Sequence, residues 1–335
     1  MSAPGVAAAA ATRPGGLTTF TKNWSSQIAI TIAFLALWLA FVIAAPGTFG
    51  KAGIYLSFAQ TTPYFAIAAM ALTMIIVAGD IDLSFGSIMA LGMVGFVFVW
   101  RATGSVELGV LAALLVGSGA GLVNGLLVAV VGLPSLVVTI GTQFLFRGLT
   151  VVAVAGQSYT LTGAKASPIG TILVGKIGTF PMEFVWLLVV TVLAWFLLNR
   201  HRIGQNAYVI GDNRQAAQLM GVPIRRTRII LFVLMGLAAA FAGALNSIQV
   251  SNFYPSGLGA GYLLPALAAV FVGGTSVFGG RGSIYGTFLG AFMIGGIQAG
   301  VVAAGMTDFY TQPIYGAVIL IAVTIHTVLQ RRFGR

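Results

Sequence analysis

The 335-residue sequence contains no cysteine and only two histidines, His201 and His326. Disulfide bonds, thiolate metal sites and cysteine nucleophiles are therefore excluded. Both histidines lie at predicted membrane edges, which favours interfacial side chains over metal ligands. The sequence also lacks a G-x-x-x-x-G-K-[ST] phosphate loop, because the glycine-rich stretch 274–280 contains no lysine. We therefore expect no cofactor, no metal and no ATPase site within this chain.

Charged residues are scarce as well, at 7% of the sequence, whereas a soluble domain carries roughly 25%. Hydrophobic residues make up 58%, and the mean hydropathy is +1.00. A soluble protein of this length could not cover its surface with so few charges, so the sequence predicts an integral membrane protein. The apolar runs are long and continuous, unlike the alternating strands of a transmembrane barrel. They indicate helices, which satisfy their own backbone hydrogen bonds in lipid.

About ten transmembrane helices are predicted, in an all-α polytopic fold. The first run is long enough to span a bilayer, whereas a signal-peptide core has roughly 7–15 residues. Residues 1–27 are predicted to be a disordered tail, 28–330 a single transmembrane domain, and 331–335 a C-terminal tail. The ten runs are 28–45, 53–78, 83–100, 108–131, 136–155, 182–198, 229–250, 264–278, 283–304 and 309–329.

The net charge of +11 would suggest nucleic acid in a soluble chain, but here the basic residues lie between apolar runs. If the N-terminus is cytoplasmic, twelve of the 17 lysines and arginines lie on the cytoplasmic side and four outside, with Arg147 inside a span. This asymmetry follows the positive-inside rule. It predicts that both termini are cytoplasmic, that loop 156–181 is external, that loop 199–228 is cytoplasmic, and that no nucleic acid is bound.

Within the cytoplasmic loop, residues 211–223 predict a helix of about two turns. Asp212 or Asn213 can cap its start, and Gly221 followed by Pro223 ends it. Such a short helix is marginal alone in water, so something must hold it. Ala216 and Ala217 give it a small-residue face. The residues alone leave open whether this helix docks another protein or packs on its own bundle.

Two aspartates and one arginine are predicted at membrane depth. Each aspartate at a span centre costs about 2.5–3.5 kcal/mol, so Asp80 and Asp82 must line a broken segment or lie at the membrane edge. Asp82 either caps the third span or, with Ser84, belongs to a discontinuous helix that meets solute or moves as a gate. Arg147 is expected to find a partner inside the bundle, either a carbonyl, Gln143 or one of the aspartates. We hypothesise that Arg147 and Asp82 together hold the broken segment.

Several ordered motifs resemble the ribose/xylose-type, binding-protein-dependent ABC transporter permease family, and the resemblance covers nearly the whole chain. In the first motif, Asp80 replaces the usual second glycine. The motifs are Gly-Asp-Ile-Asp-Leu-Ser-Phe-Gly-Ser at 79–87, Gly-Leu-Pro-Ser at 132–135 with Thr-Ile-Gly-Thr at 139–142 and Arg-Gly-Leu at 147–149, the coupling-region stretch 211–222 with 225–228, and Ala-Ala-Val-Phe-Val-Gly-Gly-Thr-Ser-Val-Phe-Gly-Gly-Arg-Gly-Ser at 268–283.

The resemblance implies a permease subunit of a bacterial inner-membrane importer for a monosaccharide or polyol. Two copies would form the pathway, a cytoplasmic ATPase would dock on the inner loops, and a periplasmic binding protein would deliver the sugar. The implied ATPase-coupling residues are Gly211, Asp212, Asn213, Ala216, Ala217 and Gly221. The candidate pathway or gate residues are Asp80, Asp82, Ser84, Asn124, Gln143, Arg147 and Gln298.

Asn124 and Gln298 lie in similar glycine-rich settings, and Gly-Ser-Ile recurs at 86–88 and 282–284. The repetition predicts two weakly related halves, a common transporter plan. The two amides either bond sugar hydroxyls or bridge helices. The main alternative is a stand-alone, ion-coupled transporter, for which Asp80 and Asp82 are the only candidate coupling site. An intramembrane enzyme is disfavoured, since no paired Ser/Lys or metal set is present.

Overall fold

The computed structural model describes residues 16–303, 305 and 310–333. Most of the described chain is helical. The helices are α1 Gly16–Ala44, α2 Pro46–Phe49, α3 Ala52–Thr61, α4 Pro63–Val77, α5 Phe85–Thr103, α6 Val106–Leu126, α7 Ser135–Ala153, α8 Pro168–Val174, α9 Met182–Asn199, α10 Arg202–Asp212, α11 Arg214–Leu219, α12 Ile224–Gln249, α13 Leu263–Val272, α14 Ile284–Ala303 and α15 Thr311–Phe333. A π-helical turn, Leu127–Val131, continues α6.

Four strands of two residues each lie in loops between the helices. They are β1 Tyr159–Thr160, β2 Lys176–Ile177, β3 Phe180–Pro181 and β4 Asn252–Phe253. β2 and β3 form a hairpin within loop 156–181. β1 pairs antiparallel with β4, with Tyr159 opposite Phe253, so loop 156–181 is tied to the segment that follows α12.

Within the described residues, seven helices are long and apolar enough to cross a membrane, or eight if the bent pair α3–α4 is one span. The all-α membrane fold is therefore confirmed. The predicted count of ten spans and the cytoplasmic position of both termini stay predictions. α13 and the apolar part of α15 are the shorter helices that would complete ten. α1 starts at Gly16, inside the predicted tail, whose residues 1–15 lie outside the described part of the chain.

The predicted span 53–78 is broken rather than continuous. α3 and α4 meet at Thr62 with a bend of 53°. Pro63 opens α4 and has no backbone N–H to continue the hydrogen bonding of α3, which accounts for the break. Every residue of α4 is buried. A helix that is apolar all round belongs at the centre of a bundle, and α4 packs against α9, α12, α13 and α14.

Glycines bring α6 and α12 into close contact. A Cβ atom on Gly121 would lie 2.2 Å from the carbonyl oxygen of Phe232, and one on Gly117 would lie 2.4 Å from the Cβ of Ala240. On the other helix, a Cβ on Gly236 would lie 2.1 Å from the carbonyl oxygen of Gly117. Small residues at such spacing let membrane helices pack backbone against backbone. The sequence-based interpretation of glycine as a packing surface holds for this pair.

Two non-helical segments enter the bundle, 78–84 before α5 and 250–262 before α13. The predicted span 264–278 is helical only to Val272, and Gly273 follows as the C-cap. Segment 250–262 meets the first turn of α5, where a Cβ on Gly259 would lie 2.2 Å from the carbonyl oxygen of Gly86. Non-helical backbone at this depth is typical of transporters, whose broken helices line a cavity.

We expect Gly121→Ala to destabilise the protein, because the added methyl group would overlap the backbone of α12. Overpacking of this kind costs about 1–3 kcal/mol. Thermal unfolding in detergent, followed by tryptophan fluorescence, should show a lower midpoint. Gly119→Ala is the matched control, since Gly119 lies on the same helix with nothing within 4 Å of a Cβ. Equal midpoints for the two variants would contradict the close packing of α6 and α12.

Candidate functional site

Asp80 forms a buried ion pair with Arg228, near the start of α12. The Nε of Arg228 donates to Oδ2 of Asp80 at 2.5 Å, and a terminal nitrogen donates to Oδ1 at 2.6 Å. Both side chains are buried. The remaining terminal nitrogen of Arg228 donates to the carbonyl oxygen of Val128 at 3.0 Å. That carbonyl lies in the π-helical turn, where the regular backbone hydrogen bonds are displaced.

The same aspartate also faces the loop predicted to couple to an ATPase. A terminal nitrogen of Arg214, the first residue of α11, lies 3.9 Å from Oδ1 of Asp80. Half of the Arg214 side chain is exposed, so this ion pair is weak compared with the one to Arg228. Asp80, which belongs to segment 78–84, thus connects this segment to α11 through Arg214 and to α12 through Arg228.

Asp82, Ser84 and Asn124 form a hydrogen-bonded row with all three residues fully buried. The amide nitrogen of Asn124 donates to the Ser84 hydroxyl at 2.8 Å, and that hydroxyl donates to Oδ1 of Asp82 at 2.7 Å. The backbone N–H of Ser84 also donates to Oδ1 of Asp82, at 2.7 Å. Three of the predicted pathway residues are therefore adjacent, at the entrance to α5.

Asp82 does not cap α5, which was one of its two predicted roles. α5 begins at Phe85 rather than Leu83, and Ser84 occupies its N-cap position without a side-chain capping bond. Asp82 instead closes a local turn through the backbone N–H two residues ahead, as aspartate commonly does. Asp82 therefore shapes the chain before α5.

Arg147 lies in the middle of α7 and donates to two carbonyl oxygens. One is that of Pro255 at 2.9 Å, and the other that of Gly86 at 3.3 Å. A carbonyl was among the predicted partners, but the hypothesised pairing with Asp82 is absent. Through the carbonyl of Gly86, Arg147 holds the first turn of α5, which follows the broken segment. It binds segment 250–262 with the same guanidinium group.

The remaining two pathway candidates lie apart from these clusters. Gln143 is half-buried on α7, one turn before Arg147, and Gln298 is exposed on α14. Gln298 therefore does not mirror Asn124, which is fully buried. Their assignment to the pathway stays a prediction.

Gly211 brings the coupling loop into backbone contact with two other segments. A Cβ on Gly211 would lie 1.9 Å from the carbonyl oxygen of Val77 and 2.5 Å from the nitrogen of Gly280. Gly79 and Gly280 have φ angles of +80° and +70°, which favour glycine. The backbone N–H of Gly280 donates to the carbonyl of Val77 at 2.9 Å. Three of the motifs noted in the sequence therefore meet at one point.

α11 has the predicted ends. Of the two candidate caps, Asn213 accepts the backbone N–H of Ala216 at 3.0 Å, while Asp212 is the last residue of α10. Gly221, at φ +72°, ends the helix, and the N–H of Val222 donates to the carbonyl of Ala217 at 3.0 Å. This arrangement is a Schellman motif.

The exposed side of α11 is mixed in polarity and differs from the predicted small-residue face. Ala217 is fully buried against the chain's own bundle, so it holds the helix and does not face a partner. Ala216 is half-buried. Leu219 and the C-cap residue Met220 are 90% and 64% exposed, beside the exposed polar side chains of Gln215 and Gln218.

Comparison with known proteins decides the family. Residues 54–323 match the family described as branched-chain amino acid transport system / permease component. The ribose import permease protein RbsC of Escherichia coli is 34% identical over 310 residues, which cover 91% of this chain and 95% of the relative. The chain belongs to this permease family. No solved structure matches this permease.

A second kind of relative is the autoinducer 2 import system permease protein LsrD. The Salmonella typhimurium protein is 30% identical over 314 residues, 93% of this permease and 94% of the relative. The Yersinia enterocolitica protein is 32% identical over 269 residues, 79% and 81% respectively. This permease is thus the multi-pass, membrane-spanning subunit of an ABC importer in the inner membrane, which confirms the predicted family, role and localisation.

Sequence reasoning missed Arg228 and the polar residues of segment 250–262. The aspartate that replaces the usual glycine at position 80 indicated a need for a counter-charge. However, six arginines from 200 to 228 could have supplied it, and only the fold selects Arg228. Asn252 and Tyr254 belong to no motif noted in the sequence.

We expect Asp80→Asn and Arg228→Gln each to destabilise this permease by about 3–5 kcal/mol, because either change leaves a buried charge without its partner. The double variant Asp80→Leu/Arg228→Leu should recover most of that loss. Thermal unfolding of the purified protein measures all three, with Asp212→Asn as the control at an exposed aspartate. A wild-type unfolding midpoint for Asp80→Asn would show that the ion pair does not support the fold.

Proposed function

We propose that this permease moves a monosaccharide or related polyol across the inner membrane, driven by ATP that a separate subunit hydrolyses. Its similarity along nearly the full length to import permeases named for ribose and autoinducer 2 carries the proposal. The family description names branched-chain amino acids, which are zwitterions and need fixed counter-charges. Arg147 and Arg228 are both engaged by protein groups, which supports a neutral solute instead.

The proposed ATPase dock is α11. Its exposed Leu219 and Met220 offer an apolar contact, and its anchoring through Asn213, Ala217 and Gly221 fixes the helix before any partner binds. A preordered docking helix loses little conformational freedom on binding, which favours affinity. The basic loop around it is consistent with a cytoplasmic position and with both termini on that side.

Movement of the docked helix is proposed to reach the pathway by two contacts. Arg214 faces Asp80 from α11, and Gly211 touches the backbone at Val77 immediately before segment 78–84. Segment 78–84 contains Asp82 and Ser84, two of the three residues in the buried row with Asn124. A shift of α11 on nucleotide binding would therefore displace this row, which we assign as the gate.

A binding protein is proposed to deliver solute at loop 156–181, on the side opposite α11. The hairpin β2–β3 and the pairing of β1 with β4 order this loop, so it presents a defined surface. A second copy of the permease is proposed to complete the pathway. The exposed polar side chain of Gln298, on an apolar helix, is a candidate contact between the copies.

Uptake into proteoliposomes tests the proposed function. We expect labelled sugar to accumulate only when the ATPase subunit, ATP and the binding protein are all present. Collapse of proton and sodium gradients with ionophores should leave the uptake unchanged. Accumulation driven by an ion gradient without ATP would instead support the stand-alone, ion-coupled transporter, with the aspartates as its coupling site.

Leu219→Glu tests the dock. A charge placed at the centre of an apolar contact should lower co-purification with the ATPase at least about tenfold, which corresponds to about 1.4 kcal/mol. The unfolding midpoint of the permease alone should not change, because Leu219 is exposed. Gln205→Ala, at an exposed position of α10 in the same loop, is the control. Unchanged co-purification of Leu219→Glu would rule out α11 as the dock.

A further inference from the structure

A cavity of about 380 Å³ lies along segment 250–262 and the end of α12. Its polar lining consists of two amides and two phenols, those of Asn246, Asn252, Tyr254 and Tyr262. Three glycines and Leu258 complete the lining. Cavities that hold small ligands range from about 300 to 1,000 Å³, so this volume suits a small solute.

The polar side chains are arranged in two pairs. The amide nitrogen of Asn246 donates to the hydroxyl of Tyr262 at 2.9 Å, and that of Asn252 donates to the hydroxyl of Tyr254 at 3.2 Å. Each phenol oxygen accepts from an amide and keeps its own hydrogen to donate. The two phenol hydroxyls are therefore among the donors that the lining offers to a solute. Oδ1 of Asn252 is buried without a hydrogen-bond partner.

None of the eight lining residues carries a charge at neutral pH. The cavity therefore offers no counter-ion to the ammonium or carboxylate of an amino acid. Its amides and phenols match the donor and acceptor hydroxyls of a sugar, and the faces of the two tyrosine rings can cover the apolar faces of a sugar ring.

The backbone around the cavity is fixed from several sides. Arg147 binds the carbonyl of Pro255, and Gly259 packs on Gly86 at the start of α5. β4 pairs with β1, and the N–H of Leu161 donates to the carbonyl of Ser251 at 2.9 Å. The cavity wall is therefore preformed, and through Gly259 it is in direct contact with α5, the helix that follows Asp82 and Ser84 of the gate.

We propose that Asn246, Asn252, Tyr254 and Tyr262 form a subsite of the permease that binds a neutral, polyhydroxylated solute during its passage. The subsite rests on the proposed function and extends it, because it assigns part of the choice of solute to the permease itself. A solute leaving the binding protein would exchange its hydrogen bonds for those of the amides and phenols before it reaches the gate.

The test is uptake by the full complex, with its ATPase and binding protein, in proteoliposomes. The probes are labelled D-ribose, D-xylose, D-galactose, myo-inositol and L-leucine, together with 2-deoxy-D-ribose as a probe that lacks one hydroxyl. The variants are Asn252→Leu, Tyr254→Phe and Tyr262→Phe, each of which removes hydrogen-bonding atoms at nearly constant volume. Ser256→Ala is the control, because Ser256 is exposed in the same segment but does not line the cavity.

We expect uptake of the transported sugar at subsaturating concentration to fall roughly three- to tenfold in each variant, as the loss of one hydrogen bond predicts. At least one variant should also change the ratio of uptake between D-ribose and 2-deoxy-D-ribose, or between two other transported sugars. The binding protein is the same throughout, so a changed ratio arises in the permease. The unfolding midpoint should stay as in Ser256→Ala, since the phenylalanine variants keep the rings and Asn252→Leu keeps nearly the same side-chain volume.

The possible failures separate the two proposals. If the wild-type complex carries L-leucine and none of the sugars or myo-inositol, the proposed function is overturned and the subsite falls with it. If the wild type carries a sugar but all three variants match Ser256→Ala in rate and in ratio, the subsite alone is overturned. A uniform loss of rate with unchanged ratios in every variant would also overturn it, since that result indicates a role in shape only.

Discussion

A bilayer interior offers no hydrogen bonds, so every backbone group of the two non-helical segments must find a partner inside the protein. α7 supplies several of them. Its Ser135 hydroxyl accepts the N–H of Ile81, and its Thr139 hydroxyl, which donates to the Ser135 carbonyl at 2.8 Å, lies 3.3 Å from the Ile81 carbonyl. Farther along, Arg147 donates to the carbonyl of Pro255 in segment 250–262 and to that of Gly86 in the first turn of α5. Because one helix serves both segments, their positions depend on each other, and so does the space between them.

The buried charges obey the same requirement. Asp80 is acceptable below the surface because Arg228 meets both of its oxygens, and the third nitrogen of that arginine satisfies a carbonyl freed by the π-helical turn of α6. Where the family motif has a glycine, this chain therefore carries an ion pair that joins segment 78–84 to α12. The cost of removing two charges from water offsets much of their attraction. The pair therefore fixes segment 78–84 relative to α12 more than it adds to the stability of the fold.

Composition and the long apolar runs were sufficient to predict an all-α membrane protein, and local rules predicted α11 with Gly221 at its end and either Asp212 or Asn213 as its cap. They also grouped Asp82 with Ser84. Two things could not be read from the chain alone. A run of apolar residues looks the same whether it is straight, bent at Pro63 or helical for only half its length. Partners such as Arg228 for Asp80 are distant in sequence, and several arginines were equally available until the bundle placed one of them.

The contact among Gly79, Gly211 and Gly280 has a mechanical consequence. Ordinary contacts between helices pass through side chains, which change rotamer and absorb part of any displacement. Here main chain touches main chain, with no rotatable group between the coupling loop and the chain that enters α5. A displacement of the coupling loop is therefore transmitted directly to the backbone before α5, without being absorbed by side-chain rotation.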